Sequence, residues 1–96
     1  MSNNQPDLVL DGRKLTSLSA FFREFRTIPG VPDWMGENLD ALNDVLTGEL
    51  PPLTIEWHHM AISRNRWAEE WEFETLVEIL SSNAKWGLTF IAKEGG

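Results

Sequence analysis

Three carboxylates in the middle of the chain, Glu37, Asp40 and Asp44, have the spacing needed to act together. If residues 37–48 form a helix, a turn of about 100° per residue brings the three side chains within roughly 60° of one another. Clustered carboxylates can pair with basic side chains of a protein partner, hold a divalent metal ion or act as general acids and bases. The spacing therefore predicts an acidic face with one of these uses, or a face that is simply solvated.

The position of each carboxylate along the predicted helix helps to separate these uses. The helix dipole stabilises acids near a helix start, which accounts for Glu37 and Asp40. Asp44 lies more than a turn inside, where a like-charged neighbour costs about 0.2–0.5 kcal/mol. Metal and catalytic sites usually need a pocket or ligands from other elements, so we rank a metal-dependent enzyme that uses these acids below a binding protein. The pattern leaves a solvated face and a binding face equally open.

The charge distribution indicates the kind of partner. The chain carries 15 acidic residues against 8 Lys and Arg, which gives a net charge of −7. No Lys or Arg lies between Arg26 and Arg64. The acids of that stretch are Asp33, Glu37, Asp40, Asp44, Glu49 and Glu56. Because nucleic-acid-binding proteins need a basic surface to neutralise phosphates, the composition argues against direct nucleic-acid binding and predicts a basic protein partner.

Two further sets of side chains next to predicted elements could take part in binding. Trp34 lies between Pro32 and Gly36, in a loop beside the acidic segment, and is predicted to be an aromatic anchor for a partner. His58 and His59 follow a predicted strand, so their side chains point in different directions. We therefore predict surface or capping roles for both histidines, with no metal and no cofactor.

The other four tryptophans are predicted to be structural. Trp57 and Trp86 border predicted strands and are assigned to the core. Trp67 and Trp71 are four residues apart and are assigned to one stripe of the last helix, packed against a neighbouring helix.

These side chains must be positioned by strands and helices that alternate along the chain. Short apolar runs predict strands at residues 8–10, 53–57 and 88–92, the first of them buried. Spacings of three and four predict helices after a cap at Thr16 or Ser17, from Asn38 to Gly48 and from Trp67 to Trp86, and residues 58–66 are ambiguous. Helical crossovers between short strands predict an α/β fold with a parallel sheet covered by helices.

The domain and its location follow from length and composition. We predict a disordered leader at residues 1–6 and a single domain at residues 7–93. The chain has no cysteine, no long apolar run and no basic-then-apolar start of the kind found in secretory signals. These features predict a cytoplasmic protein that is not attached to a membrane.

The segment Pro32–Gly48 contains the run Gly-Glu-Asn-Leu-Asp-Ala-Leu, followed by Asp44 and by Leu-Thr-Gly. This run closely resembles the barstar family, the intracellular inhibitors of extracellular ribonucleases of the barnase type. The resemblance implies a three-stranded parallel sheet packed by helices. It also implies that the acidic helix and the preceding loop plug the active site of a basic ribonuclease toxin, with carboxylates in the places of substrate phosphates. The protein is then expected to be a monomer that forms a 1:1 complex.

The resemblance also assigns roles to residues of this chain. Asp44 resembles the family's central carboxylate, inserted among the enzyme's arginines, and Asp40 resembles its companion one turn earlier. Asn38 and Gly48 match the two ends of the contact helix. Trp34 stands where the family has an aromatic that packs on the enzyme's active-site histidine.

Some positions depart from the best-known pattern of the family. Met35 replaces a second aromatic, Asn43 and Glu49 each stand where a tryptophan is found, and Ser82 stands where an acid reaches the enzyme. Glu78, one turn earlier, could substitute for that acid. These departures leave open a barstar-fold binding module for a different basic protein. The predicted partner contacts are Trp34, Met35, Asn38, Asp40, Asn43, Asp44, Gly48, Glu49, Glu78 and Ser82.

Overall fold

The computed structural model describes residues 5–48, 50–83 and 87–94. Within those residues the chain forms one three-stranded parallel sheet, four α-helices and a short 3₁₀ turn. The strands are β1 (Leu8–Asp11), β2 (Leu53–His58) and β3 (Leu88–Lys93). The helices are α1 (Leu18–Phe25), α2 (Leu39–Gly48), α3 (Met60–Arg66) and α4 (Glu70–Ser82), and the 3₁₀ turn is Asp33–Met35. This arrangement confirms the predicted α/β fold with a parallel sheet packed by helices.

The sheet has β2 at its centre, with β1 and β3 parallel to it on either side. Every second side chain of β2 is buried, namely Leu53, Ile55 and Trp57. The edge strand β1 differs from the predicted buried strand because Val9 is 51% exposed. Leu8 and Leu10, on the opposite face of β1, are buried, so this strand is covered on one face only and the apolar run at residues 8–10 was an incomplete guide to burial.

The start of the sheet is held by Asp7, which exchanges two hydrogen bonds with Thr54. The backbone N–H of Asp7 donates to the Thr54 carbonyl at 2.8 Å, and the Asp7 carboxylate accepts from the Thr54 N–H at 2.7 Å. Residues 1–4 of the predicted leader lie outside the described residues. Among the described residues, no helix is long and apolar enough to cross a membrane.

Helix α1 begins where the sequence predicts it. The Ser17 hydroxyl accepts a hydrogen bond from the Ala20 N–H at 3.2 Å and caps the helix. Phe21, Phe22 and Phe25 are fully buried against the sheet. The 3.6-residue spacing of these aromatics therefore placed one face of α1 in the core, as expected.

Trp57 lies at the centre of the core and begins a buried chain of two hydrogen bonds. Its indole N–H donates to the Ser63 hydroxyl at 3.0 Å, and that hydroxyl donates to the Gly12 carbonyl at 3.2 Å. A side chain at position 12 is sterically excluded, since a Cβ there would overlap the carbonyl oxygen of His59. The chain of bonds joins the ends of β1 and β2 to α3.

The last helix is shorter than the predicted one. It begins at Glu70, and Trp67 lies before it in extended backbone, where it is buried against Trp57 and Phe73. Trp71 is on the helix but is 60% exposed, so its predicted packing is wrong. The buried stripe of α4 contains Phe73, Leu76 and Leu80, which lie about 160° around the helix from Trp71. Trp86 lies outside the described residues.

Candidate functional site

Helix α2 is set in place by a side-chain cap and an apolar inner face. Oδ1 of Asn38 accepts hydrogen bonds from the N–H groups of Asp40 at 2.8 Å and Ala41 at 3.2 Å, which satisfies two of the free donors at the helix start. The inner residues Leu42, Val45 and Leu46 are buried. Burial of that side forces the intervening residues outward.

The outer side of α2 carries Asp40, Asn43 and Asp44, all of them exposed; we call this the acidic face. Asp40 and Asp44 are one turn apart, so their charges repel by a few tenths of a kcal/mol, about 0.2–0.5. The described ion pairs involve only Asp11 and Glu56 among the acids, so neither carboxylate of the acidic face has a cationic partner within the described part of the chain. The helix dipole favours Asp40, which is in the first turn, but not Asp44.

Glu37 does not share the helical face predicted for it. The helix begins at Leu39, and Glu37 lies in the preceding turn. Its Oε2 atom accepts a hydrogen bond from the Ser19 hydroxyl of α1 at 3.2 Å. The assumed rotation of about 100° per residue placed Glu37 wrongly, because regular helix geometry begins only after the Asn38 cap.

The 3₁₀ turn before α2 sends two neighbouring side chains in opposite directions. Trp34 is 62% exposed, as predicted for an anchor, whereas Met35 is 2% exposed and belongs to the core. Gly36, with φ of 61°, then reverses the chain in a conformation that favours glycine. The expectation that Met35 contacts a partner is therefore wrong for its side chain. Met35 instead fixes the turn that presents Trp34.

A second helix joins this surface through an asparagine pair. The side-chain amide of Asn83, just after α4, donates to Oδ1 of Asn43 at 3.2 Å and to the Ile79 carbonyl at 2.6 Å. The Ser82 hydroxyl donates back to the Glu78 carbonyl at 2.8 Å. Ser82 and Glu78 are exposed on α4, and the Glu78 carboxylate has no ion pair with any residue that the structure describes.

Two neighbouring residues at the end of the contact helix, Gly48 and Glu49, were both predicted to contact the partner. Gly48 is the exposed last residue of α2. Glu49, predicted to read a further basic group, lies outside the described residues.

Trp71 was assigned to helix packing from its spacing with Trp67, and that assignment is wrong. Trp71 is exposed beside the start of α2 and lines a groove with Glu37 and Asp40. The spacing of Phe73 and Leu76 could have revealed it, because a tryptophan on the opposite side of that stripe cannot enter the same core.

The perturbed titrating groups are not residues of the acidic face; they lie at or beside the carboxyl ends of β1 and β2. Hydrogen bonds from the Arg13 side chain and then from its backbone N–H lower the pKa of Asp11 to about 2. The hydrogen bond with His58 lowers the pKa of Glu56, and Lys93 contributes further. Within the described residues, no group of three or more His, Cys, Asp or Glu side chains is arranged to hold a metal ion.

The sequence model of the protein family described as Barstar (barnase inhibitor) matches residues 5–94 of this chain. That range includes every described strand and helix, the exposed Trp34 turn and the acidic face. The description names a family of inhibitors and not of enzymes.

Proposed function

The chain belongs to the barstar family, and from this premise we propose that it inhibits a basic ribonuclease of the barnase type by covering the enzyme's active site. The observation that carries the proposal is the acidic face. Asp40 and Asp44 are exposed, lie one turn apart and have no cationic partner among the described residues. A surface that stores like-charge repulsion in the free protein gains most when basic groups of a partner neutralise it.

The chemistry of the target explains why carboxylates serve this purpose. A ribonuclease must attract the negatively charged phosphodiester backbone of RNA, so its active site concentrates basic side chains. In this proposal Asp44 enters that site in the place of a substrate phosphate, and Asp40 pairs with a second basic group. Desolvation on complex formation strengthens both pairs, because their charges then interact through a medium of lower dielectric constant.

Neighbouring residues complete the proposed contact. Trp34 supplies an exposed aromatic anchor, which is a common centre of binding energy in protein interfaces. Asn38 and Gly48 lie at the two ends of the contact helix. Asn43, Glu78 and Ser82 form the rim on the α4 side, and Glu49 is proposed to add a carboxylate beyond Gly48. We also propose that the protein acts in the cytoplasm, as a monomer in a 1:1 complex.

Inhibition of barnase by the purified protein tests this proposal. The wild type should block RNA cleavage, and Asp44→Ala should weaken binding by about 2–5 kcal/mol or more, mainly through faster dissociation. Glu74→Gln is the matched control, since it removes one exposed charge from α4 outside the acidic face. Unchanged inhibition by both Asp44→Ala and Asp40→Ala would refute the proposed mode of binding.

One observation favours a second candidate, a binding module for a basic protein that is not a ribonuclease. Asn43 stands where the best-known barstar pattern has a tryptophan. Its side-chain oxygen already accepts a hydrogen bond from Asn83. The rim of this surface therefore differs from the family pattern. Affinity purification from the native cells with wild type and with Asp44→Ala separates the two candidates. A basic non-nuclease recovered only by the wild type would favour the second.

A further inference from the structure

A groove of about 350 Å³ lies where the starts of α1, α2 and α4 meet. Its walls include Leu18 from α1, Glu37 and Asp40 beside the start of α2, and Trp71 and Glu72 from α4. The groove adjoins the acidic face through Asp40, which belongs to both. It is therefore continuous with the proposed ribonuclease contact but extends that contact to the start of α4, whereas the rim residues Glu78 and Ser82 lie towards the end of that helix.

The groove presents three carboxylates from two separate parts of the chain and no Lys or Arg among its lining residues. The Ser19 hydroxyl holds one oxygen of Glu37 in place. A second cavity of about 290 Å³ beside β1 provides a contrast, because Lys14 and Arg23 line it together with acids. Uncompensated negative charge thus distinguishes the first groove from this second cavity.

Trp71 forms an aromatic wall of the groove, and it is not a core residue because its side chain is 60% exposed. Among the described residues, the exposed large apolar side chains are Val9, Trp34 and Trp71. Trp34 lies in the turn that leads into α2, and Trp71 lines the groove with Asp40. Tryptophan is enriched in protein interfaces, so an exposed Trp71 beside the proposed binding face is a candidate for the same interface.

We propose that this groove binds an arginine side chain of the partner, with the guanidinium group on the ring of Trp71 and paired with the carboxylates of Glu72 and Asp40. The inference rests on the proposed function, since the partner is the basic ribonuclease. Arginine fits better than lysine because its planar guanidinium stacks on an indole and pairs with a carboxylate through two parallel hydrogen bonds. The contact adds the start of α4 to the surface that selects the partner.

A small probe tests the groove without any ribonuclease. N-acetyl-arginine methylamide is titrated into the full-length ¹⁵N-labelled protein, and the five indole N–H signals are followed by NMR. We expect the chemical shift of the Trp71 indole signal to change in a saturable way, with a dissociation constant in the millimolar range. One cation–π contact together with exposed ion pairs gives an affinity of about that order. N-acetyl-lysine methylamide should give smaller shifts.

Matched variants distinguish the groove from general charge attraction. Glu72→Gln should weaken the response to the arginine probe, whereas Glu74→Gln, on the same helix but outside the groove, should leave it unchanged. Equal losses in both variants, or equal shifts of all indole signals, would overturn the proposal. Thermal unfolding checks that each variant is folded.

Barnase binding then tests whether the groove belongs to the interface. Trp71→Ala should raise the inhibition constant about 3- to 30-fold, with a smaller effect for Trp71→Phe. If Asp44→Ala weakens inhibition but Trp71→Ala and Glu72→Gln do not, the groove lies outside the interface and the proposal fails alone. If the arginine probe binds but the wild type inhibits no ribonuclease, the proposed function fails and arginine binding by the groove stands. A dimer that Trp71→Ala dissociates would instead assign the groove to a second copy and overturn the proposal.

Discussion

Asn83 and Asn43 hold α4 and α2 together through a hydrogen bond of 3.2 Å between their side chains. Asn83 is 2% exposed and also donates to the Ile79 carbonyl at 2.6 Å, whereas Asn43 is exposed on the acidic face. A buried amide thus ties an outward-facing residue of the proposed contact helix to the end of α4. This bond therefore links the outer sides of the two helices.

The first prediction concerns the stability that this bond provides. Asn83→Ala removes two hydrogen bonds and should lower the free energy of unfolding by about 1–3 kcal/mol. Asn43→Ala removes only one of them at an exposed site and should cost less. Urea denaturation of both variants and of the double variant measures the coupling between the two residues. Equal costs for the two single variants would contradict this division of roles.

The second prediction separates binding from folding at Asp44. Asp44→Ala relieves repulsion with Asp40 and replaces a weak helix former, so it should raise the free energy of unfolding by about 0.2–1 kcal/mol. Asp40→Ala should gain less, because Asp40 in the first turn benefits from the helix dipole. Thermal unfolding at low salt checks both. A marked loss of stability in Asp44→Ala would show that this carboxylate serves the fold.

The third prediction concerns the cap that starts α2. Asn38→Ala leaves the N–H groups of Asp40 and Ala41 without their side-chain acceptor, and should cost about 0.5–2 kcal/mol. Asn38→Asp keeps an acceptor oxygen and should retain most of the stability. Urea denaturation followed by far-ultraviolet circular dichroism gives the comparison. Equal losses in the two variants would exclude capping as the role of Asn38.

The sequence predicts a residue of this site correctly where interactions between sequence neighbours determine its position. Asn38 and Gly48 bound α2 in the sequence and in the structure, because caps and apolar spacing are local signals. The burial of Met35 and the hydrogen bond of Glu37 were not predicted, because both depend on contacts between elements distant in the sequence. Glu37, for example, turns towards Ser19, 18 residues away. No periodicity contains that information. Trp71 was misassigned although the local spacing of Phe73 and Leu76 places it opposite the buried stripe of α4.

The fourth prediction concerns the two buried hydrogen bonds that join Trp57, Ser63 and Gly12. Ser63→Ala leaves the Trp57 indole N–H and the Gly12 carbonyl without partners in a buried setting, and should cost about 1–3 kcal/mol. Ser81→Ala, at an exposed position of α4, is the control and should have little effect. Chemical denaturation followed by tryptophan fluorescence measures both. Equal stabilities of the Ser63→Ala protein and the wild type would rule out a stabilising role for the chain of bonds.

The fifth prediction is a stability difference confined to acid. Arg13 holds Asp11 as a carboxylate and lowers its pKa in the folded protein from 3.8 to about 2. The unfolded chain therefore takes up a proton first as the pH falls, so the pair stabilises the fold above about pH 4 and loses that effect as the pH falls towards 2. Asp11→Asn should be less stable than the wild type at neutral pH, and the difference should disappear between pH 4 and 2. Arg13→Gln should shrink the same difference, because it removes the guanidinium that donates twice to the Asp11 carboxylate while the backbone N–H at position 13 remains. Urea midpoints measured across that pH range decide the matter, and a difference that persists at pH 2 would mean that Asp11 acts through something other than its charge.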